Sequence, residues 1–265
     1  MLNIAVVIAA YNEVANISTL TKRLIQTLDG IEEGRWRLIY VIEGTDGSKD
    51  IAEEFARERA DIQVIYGERQ SGLGNAFRKG FEAVPDYTDV LVTMDADLNH
   101  QPEEIPRLVA KLSSYEADIV IGSRKVAGST VVGVPLWKRL LSDILNRVMK
   151  RMIAAPVADQ TSGFRVYRYS SFRRISYCNT GFAFLPEILV CARQIGLSIR
   201  EEPIRFVWRE RGTSKMRIVD TSLSYVAFLR RAFQSRTPSP SSRKRPDEKS
   251  DLDGAAKSAS EKART

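Results

Sequence analysis

Asp95-Ala96-Asp97 closes the apolar run Val90-Leu91-Val92-Thr93-Met94, and two carboxylates at the end of a buried strand make a seat for a hard divalent cation. Residues i and i+2 of an extended segment share a face, so Asp95 and Asp97 converge. A small set of oxygen ligands suits Mg²⁺ or Mn²⁺ whose remaining positions are filled by a diphosphate. An isolated D-x-D also occurs in solvated acidic turns. Here the pattern has company at other strand ends.

The elements that must position these acids alternate along the chain. Ile4-Ala5-Val6-Val7-Ile8-Ala9-Ala10 reads as a buried first strand, followed by Tyr11-Asn12-Glu13 and a helical stripe of Ile17, Leu20, Leu24 and Leu28. Leu38-Ile39-Tyr40-Val41-Ile42 runs into Glu43-Gly44-Thr45-Asp46-Gly47-Ser48. Gln63-Val64-Ile65-Tyr66 precedes Gly72-Leu73-Gly74-Asn75-Ala76 and a helix expected to end near Gly80. Alternating strands and helices predict right-handed βαβ crossovers and a mostly parallel sheet flanked by helices. Ligands of such sheets bind at the carboxyl ends of the strands, where Tyr11, Glu13, Glu43, Asp46, Asp95 and Asp97 all fall.

Further motifs follow in order. They are Ala-Tyr-Asn-Glu (10–13), Thr-Asp-Gly-Ser (45–48), Gly-Leu-Gly-x-Ala-x-x-x-Gly (72–80) and Met-Asp-Ala-Asp-Leu-x-His-x-Pro-Glu (94–103), then Gly-Ser-Arg (122–124), Thr-Ser-Gly-Phe-Arg (161–165) and Arg-x-x-Gly-x-Ser-Lys (209–215). Through them the chain, over about residues 4–215, resembles the family 2 glycosyltransferases of GT-A (Rossmann-like) fold, and within them the dolichyl/polyprenyl-phosphate mannosyltransferases. The resemblance implies a donor site of Ala9, Tyr11, Glu13, Glu43 or Asp46, Asp95, Ala96 and Asp97. It also implies a metal held by Asp95, Asp97 and Asn99, and a diphosphate or acceptor phosphate met by Arg209 and Lys215. Asp97, Arg124 and Arg139 would be catalytic, the two arginines holding the incoming phosphate.

Three departures bear on that transfer. The family's usual Pro ahead of the Tyr-Asn-Glu is Ala9 here, which loosens the turn. Its Asp-Asp-Gly-Ser is replaced by Glu43-Gly44-Thr45-Asp46-Gly47-Ser48, which leaves two candidate nucleoside carboxylates; Glu43, directly at the strand end, is favoured. Asn99 stands where Gln is usual, one methylene shorter, so its metal contact can pass through water.

The chain of 265 residues carries a formal charge of +7 and a pI near 9.4, enough length for one sizeable core. No window approaches the roughly 18 apolar residues of a spanning helix, and Met1-Leu2-Asn3 leads straight into the first strand, so a cytoplasmic protein, peripheral on a membrane, is expected. Cys178 and Cys191 lack metal or redox spacing and read as packing thiols. His100, the single histidine, reads either as a general base or as a loop residue organising Asp97.

Between Arg124 and Arg151 lie seven basic residues, Arg139 among them, against one acidic, Asp143. Trp137, Leu140, Leu141, Ile144, Leu145, Val148 and Met149 recur there at helical spacing. This helix packs its stripe on the sheet, or also lies in the interfacial layer with its cations on anionic head groups, and both can hold for different turns of it. Residues 126–134, with two glycines and no regular period, are expected to form a mobile apolar loop beside the acceptor. A second helical pattern covers 218–233. The catalytic domain is accordingly assigned to 1–234, and 235–265, rich in Ser, Pro, Lys, Arg and Asp, to a disordered mixed-charge tail.

Neutralising a departing diphosphate with a metal and cations promotes loss of a nucleotide from a sugar. A lipid monophosphate is already anionic, so its attack needs no strong base. Family-type displacement inverts the anomeric configuration. The resemblance thus implies transfer of mannose from GDP-mannose to dolichyl or polyprenyl phosphate at the cytoplasmic membrane face. The partners are that donor and acceptor, an anionic membrane surface and, where the chain does not hold the membrane itself, an anchoring subunit; no nucleic acid is involved. Glucosyl, N-acetylhexosaminyl and polysaccharide transfer stay open. A nucleotidyltransferase would show a Gly-rich basic loop after the first strand, which Ala9-Ala10-Tyr11-Asn12-Glu13 is not. A non-catalytic binding subunit would tolerate loss of the Asp95 and Asp97 carboxylates, and both are present.

Overall fold

A computed structural model describes residues 1–153 and 157–208. Arg209, Lys215, the helical pattern over 218–233 and the 235–265 segment lie outside the described residues.

The first half alternates as the pattern requires: β1 (Leu2–Tyr11), α1 (Val14–Asp29), β2 (Gly34–Glu43), α2 (Ser48–Glu58), β3 (Ile62–Gly67), α3 (Leu73–Glu82) and β4 (Val90–Asp95). A 3₁₀ turn leads into α4 (Ile105–Ser114), then β5 (Ile119–Ser123), β6 (Thr130–Val132), α5 (Leu136–Ile153), β7 (Arg165–Arg168), α6 (Tyr169–Phe172), α7 (Phe184–Gln194), β8 (Ile199–Pro203) and β9 (Arg205–Val207). The main sheet runs β3-β2-β1-β4-β7-β5-β8. Every pairing in it is parallel except those of β7, which lies antiparallel between β4 and β5. The fold is the mostly parallel α/β sheet expected.

β1 is apolar almost throughout because both of its faces are covered. Ala5 and Val7 face a core shared with Phe77 of α3 and Ile188 of α7. Ile4, Val6 and Ile8 face a second core with α1 and α4. The α1 stripe of Ile17, Leu20, Leu24 and Leu28 is no more than 1% exposed, each side chain contributing about 1.5–3 kcal/mol by burial. Helices α1 and α2 cover one face, and α3 crosses the other before the chain returns as β4 on the far side of β1. That reversal opens a crevice above the carboxyl ends of β1 and β4, the place where such sheets bind ligands.

The glycines of the 72–80 motif serve packing. A Cβ on Gly80 would lie 2.3 Å from Val7 Cγ1, and one on Gly74 2.4 Å from the Asn179 carbonyl oxygen. Helix α3 therefore rests backbone-close on β1 and on the 179–181 segment, whose Thr180 carbonyl accepts the Asn75 amide at 3.2 Å.

One expectation is corrected. Residues 126–134 are not a patternless loop: β6 forms within them and pairs in parallel with β9. The Trp208 amide extends this small sheet to the Val132 carbonyl at 2.8 Å. Its partner strand is so distant in sequence that no local period announces it.

Candidate active site

The sheet register brings the strand-end residues together. Ala9 of β1 lies opposite Asp95 of β4, Tyr11 opposite Glu43, and Glu43 opposite Gly67 of β3. Asp95 is partly open, with 34% of its side chain exposed, while Ala96 behind it is buried. Leu98 takes a left-handed φ of 60° and turns the chain back. Asp97 Oδ1 then accepts the Asn99 amide at 3.1 Å, and Oδ2 accepts Asn99 Nδ2 at 2.6 Å. A Cβ on Gly163 would sit 3.0 Å from both Asp95 oxygens, so the absent side chain at 163 is what lets the loop before β7 pass beneath the carboxylate.

These residues fit a divalent cation. Asn99 is 5% exposed and its Oδ1 is buried without a hydrogen-bond partner, an acceptor oxygen left over beside two carboxylates. Among the described residues no group of three or more His, Cys, Asp or Glu side chains is arranged to enclose a metal. The protein therefore offers part of a coordination shell, and diphosphate oxygens and water can supply the rest.

His100 is walled in. Its ring stands 5.4 Å from that of Phe164 and 5.3 Å from that of Phe206, and it is 2% exposed. Burial first, and then the Arg124 charge, push its pKa down to about 3, so it is neutral at physiological pH and a weak base. Its Nδ1 stands 3.7 Å from Asp95 Oδ2.

At the other end of the crevice Glu13 caps the start of α1. Its amide donates to Ser48 Oγ at 2.9 Å, and its Oε2 accepts Asn16 Nδ2 at 2.6 Å. Asp46 joins two helix starts: Oδ2 accepts the Val14 amide at 2.9 Å, and Oδ1 accepts the Ser48 amide at 3.0 Å and its hydroxyl at 2.6 Å. Glu43 is 3% exposed. It accepts the Ser71 amide at 2.7 Å, the Ser71 hydroxyl, and Lys79 Nζ at 2.9 Å. Both candidates for the nucleoside thus also build the crevice wall.

Arg124, just past β5, is the most constrained of the expected cations. Its Nε and Nη2 donate to the two Asp159 carboxylate oxygens at 2.7 Å each, and Nη2 also donates to Thr161 Oγ1 at 2.9 Å. Asp159 is fully buried. Burial would raise its pKa, but the Arg124 charge and hydrogen bonds, with Lys125 nearby, hold it well below the usual carboxylate range. The guanidinium fork that the sequence reading gives to a phosphate is engaged first by this carboxylate. The guanidinium also lies over the Phe206 ring, at 5.2 Å, which ties it to the wall around His100.

Arg139 is exposed on α5 and lines a shallow pocket with Leu136, Trp137, Leu140 and Asp143. Among the described side chains of this helix, Leu136 is 81% exposed, Leu140 62%, Trp137 56% and Ile144 48%; the side chains of Leu141, Leu145, Val148 and Met149 lie outside the described residues. The backbone near the metal motif is fixed from β9, whose Val207 amide donates to the Asn99 carbonyl at 2.9 Å. Arg209 and Lys215 lie outside the described residues. Sequence reading missed Asp159 and the role of Gly163; Thr161–Arg165 carried a signal without an assigned task.

Comparison with known proteins agrees with this arrangement. Residues 5–176 match the family described as glycosyl transferase family 2. The chain is 33% identical over 221 residues to undecaprenyl-phosphate mannosyltransferase of Micrococcus luteus, spanning 81% of this chain and 88% of that one. It is 34% identical to polyprenol monophosphomannose synthase of Mycolicibacterium smegmatis, spanning 80% of each. Dolichol-phosphate mannosyltransferase of Pyrococcus furiosus is 33% identical over 82% of this chain, which spans 60% of that protein's length. Glucosyl-3-phosphoglycerate synthase from Mycobacterium tuberculosis, solved with Mn²⁺, uridine diphosphate and phosphoglyceric acid, superposes with a TM-score of 0.65. That match covers 91% of this chain and 80% of the other at 18% identity, a likeness of fold. With the strand-end acids converging at the reversal of strand order, and the family match spanning most of the described residues, the chain belongs to glycosyl transferase family 2.

Proposed function

We propose that the chain transfers mannose from GDP-mannose to a polyprenyl or dolichyl phosphate, with inversion, using Mg²⁺ or Mn²⁺ at Asp95 and Asp97 with help from Asn99. The observation that carries the reading is the Asp95–Asp97 pair beside the spare Asn99 oxygen, in a chain about one-third identical to enzymes named for that transfer. A bound cation would neutralise charge growing on the departing diphosphate. Tyr11, Glu13, Glu43 and Asp46, with Ala9 opposite Asp95, shape the donor crevice. Arg124 and Arg139 are assigned to the acceptor phosphate, and Arg209 and Lys215 to the diphosphate. The acceptor is anionic before it reacts, so no base is required of the chain, in keeping with a neutral, enclosed His100.

The open stripe of α5, bordered by Arg139 and Arg147, supports a peripheral seat on an anionic membrane. No helix among the described residues is long and apolar enough to cross a membrane. The cytoplasmic face, the 1–234 domain and a disordered 235–265 extension complete the proposal.

The test is incubation with anionic vesicles carrying polyprenyl phosphate, Mn²⁺ and a panel of labelled sugar nucleotides, followed by lipid extraction. Label from GDP-mannose is expected in the lipid fraction, and protein is expected to sediment with the vesicles less as salt rises. Label from UDP-glucose or a UDP-N-acetylhexosamine alone would move the chain to another transferase of the family, and label in soluble product alone would remove the lipid acceptor.

Arg139→Lys provides a second check, because lysine cannot hold two phosphate oxygens in a planar fork. The apparent requirement for polyprenyl phosphate should rise about tenfold, the scale of one charge-assisted hydrogen bond, with hydrolysis of the sugar nucleotide nearly unchanged. Equal loss of both would put Arg139 on the donor side.

A further inference from the structure

Residues 158–163 form a strap between α5 and the metal carboxylates, held at almost every position. Glu201 of β8 accepts the Ala158 and Asp159 amides at 2.6 and 2.9 Å. Arg165, fully buried in β7, donates to the Gln160 and Ser162 carbonyls at 2.8 Å each. Ser162 Oγ donates to the Gly122 carbonyl at 2.7 Å, and Thr93 Oγ1 donates to the Gly163 carbonyl at 2.8 Å. A strap bonded in this way moves as a unit or not at all.

Its two ends meet different parts of the site. At one end a Cβ on Gly163 would sit 3.0 Å from both Asp95 oxygens; between the ends, the Asp159 and Thr161 side chains carry Arg124. At the other, Asn146 of α5 reaches inward. It is 5% exposed, its Nδ2 donates to the Ser142 carbonyl one turn back at 2.9 Å, and its Oδ1 accepts the Gln160 amide at 2.9 Å. The same helix turns Leu136, Trp137, Leu140 and Ile144 to solvent.

We propose that Asn146 is a positioning residue through which the seating of α5 on a membrane sets the strap, and with it the Asp95 carboxylate, so that vesicle binding and metal–nucleotide binding strengthen one another. The inference rests on the membrane reading of α5. Linkage makes the effect reciprocal: whatever vesicles add to nucleotide affinity, nucleotide adds to vesicle affinity.

The experiment measures the Kd of GDP with Mn²⁺ by calorimetry, with and without anionic phosphatidylglycerol vesicles, on the full chain, alongside sedimentation with the same vesicles. For the unaltered protein, vesicles should tighten GDP binding about fivefold or more, the lower end of ordinary coupling between sites. Asn146→Leu should sediment as before and bind GDP within about twofold of the unaltered protein without vesicles, but lose the tightening. Asn146→Asp, which keeps an acceptor for the Gln160 amide, should retain it, so that the loss in Asn146→Leu follows that hydrogen bond. If Asn146→Leu does not fold, Asn146→Ser, whose hydroxyl stops short of Gln160, carries the same expectation. Full tightening in Asn146→Leu or Asn146→Ser, or none in unaltered protein that does sediment, overturns the coupling alone. Unaltered protein that fails to sediment overturns the membrane reading of α5 and the coupling with it.

Discussion

Asp97→Ala is expected to lower transfer by about 10³-fold or more, equivalent to roughly 4 kcal/mol of transition-state stabilisation, while leaving the folded protein in place. The two losses separate because of where Asp97 sits. It lies past the end of β4 and bonds Asn99, two residues on, through both oxygens. Removing a local turn contact of that kind costs about 1 kcal/mol. What disappears with it is one of the two carboxylates able to hold the cation against a departing diphosphate. Unaltered protein in excess EDTA should show the same collapse of activity. Product formation followed by lipid extraction, together with a thermal melt, checks both halves. Full activity in EDTA, or in Asp97→Ala, would remove the metal-dependent mechanism.

The part of this site that the sequence displays is the part built by local rules. Asp95 and Asp97 follow an apolar run, and the i, i+2 spacing needs no partner strand to be read. The α1 stripe and the continuous apolar β1 follow from periodicity in the same way. Other features depend on long-range pairing that periodicity does not encode. The segment 165–168 is Arg-Val-Tyr-Arg, bracketed by charges like a surface turn, yet it is the strand inserted between β4 and β5. Arg165 is fully buried because backbone carbonyls, and not water, receive its donors.

The surroundings of Arg124 show the limit again. Ala158-Asp159-Gln160-Thr161 reads as a polar connection, so nothing in the chain announces that Asp159 is the buried partner of Arg124. For α5 the helical period was evident, but a period shows only that a stripe exists. Whether Leu136 and Leu140 are covered depends on what stands opposite, and in the structure they are largely exposed. The choice between Glu43 and Asp46 has the same character. Asp46 caps α1 and α2, a task that residues 45–48 alone do not reveal, while the strand-end position favoured for Glu43 turns out to fasten Ser71 and Lys79 as well.

Asp159→Ala is expected to be the most destabilising single change at the site, because it removes the buried half of an ion pair. Arg124 has a side-chain exposure of 19% against 0% for Asp159, and the pair is bidentate with a further bond to Thr161. Removing one partner of a buried ion pair costs about 3–5 kcal/mol, which for a domain of this size lowers Tm by about 6–20 °C. The pH dependence has a definite sign. Asp159 has its pKa lowered in the folded protein, so its contribution is fully present above the unfolded carboxylate pKa of about 3.9. It is lost as pH falls below that value and through the lower folded one. Unaltered protein should therefore lose Tm on acidification more steeply than Asp159→Ala does. The double change Arg124→Met with Asp159→Leu should recover most of the lost Tm, since an apolar pair of similar volume carries no stranded charge. It should not recover transfer if Arg124 also addresses the acceptor phosphate. A Tm within about 2 °C of the unaltered value in Asp159→Ala would show that water reaches the pair, and full activity in the double variant would confine Arg124 to holding the strap.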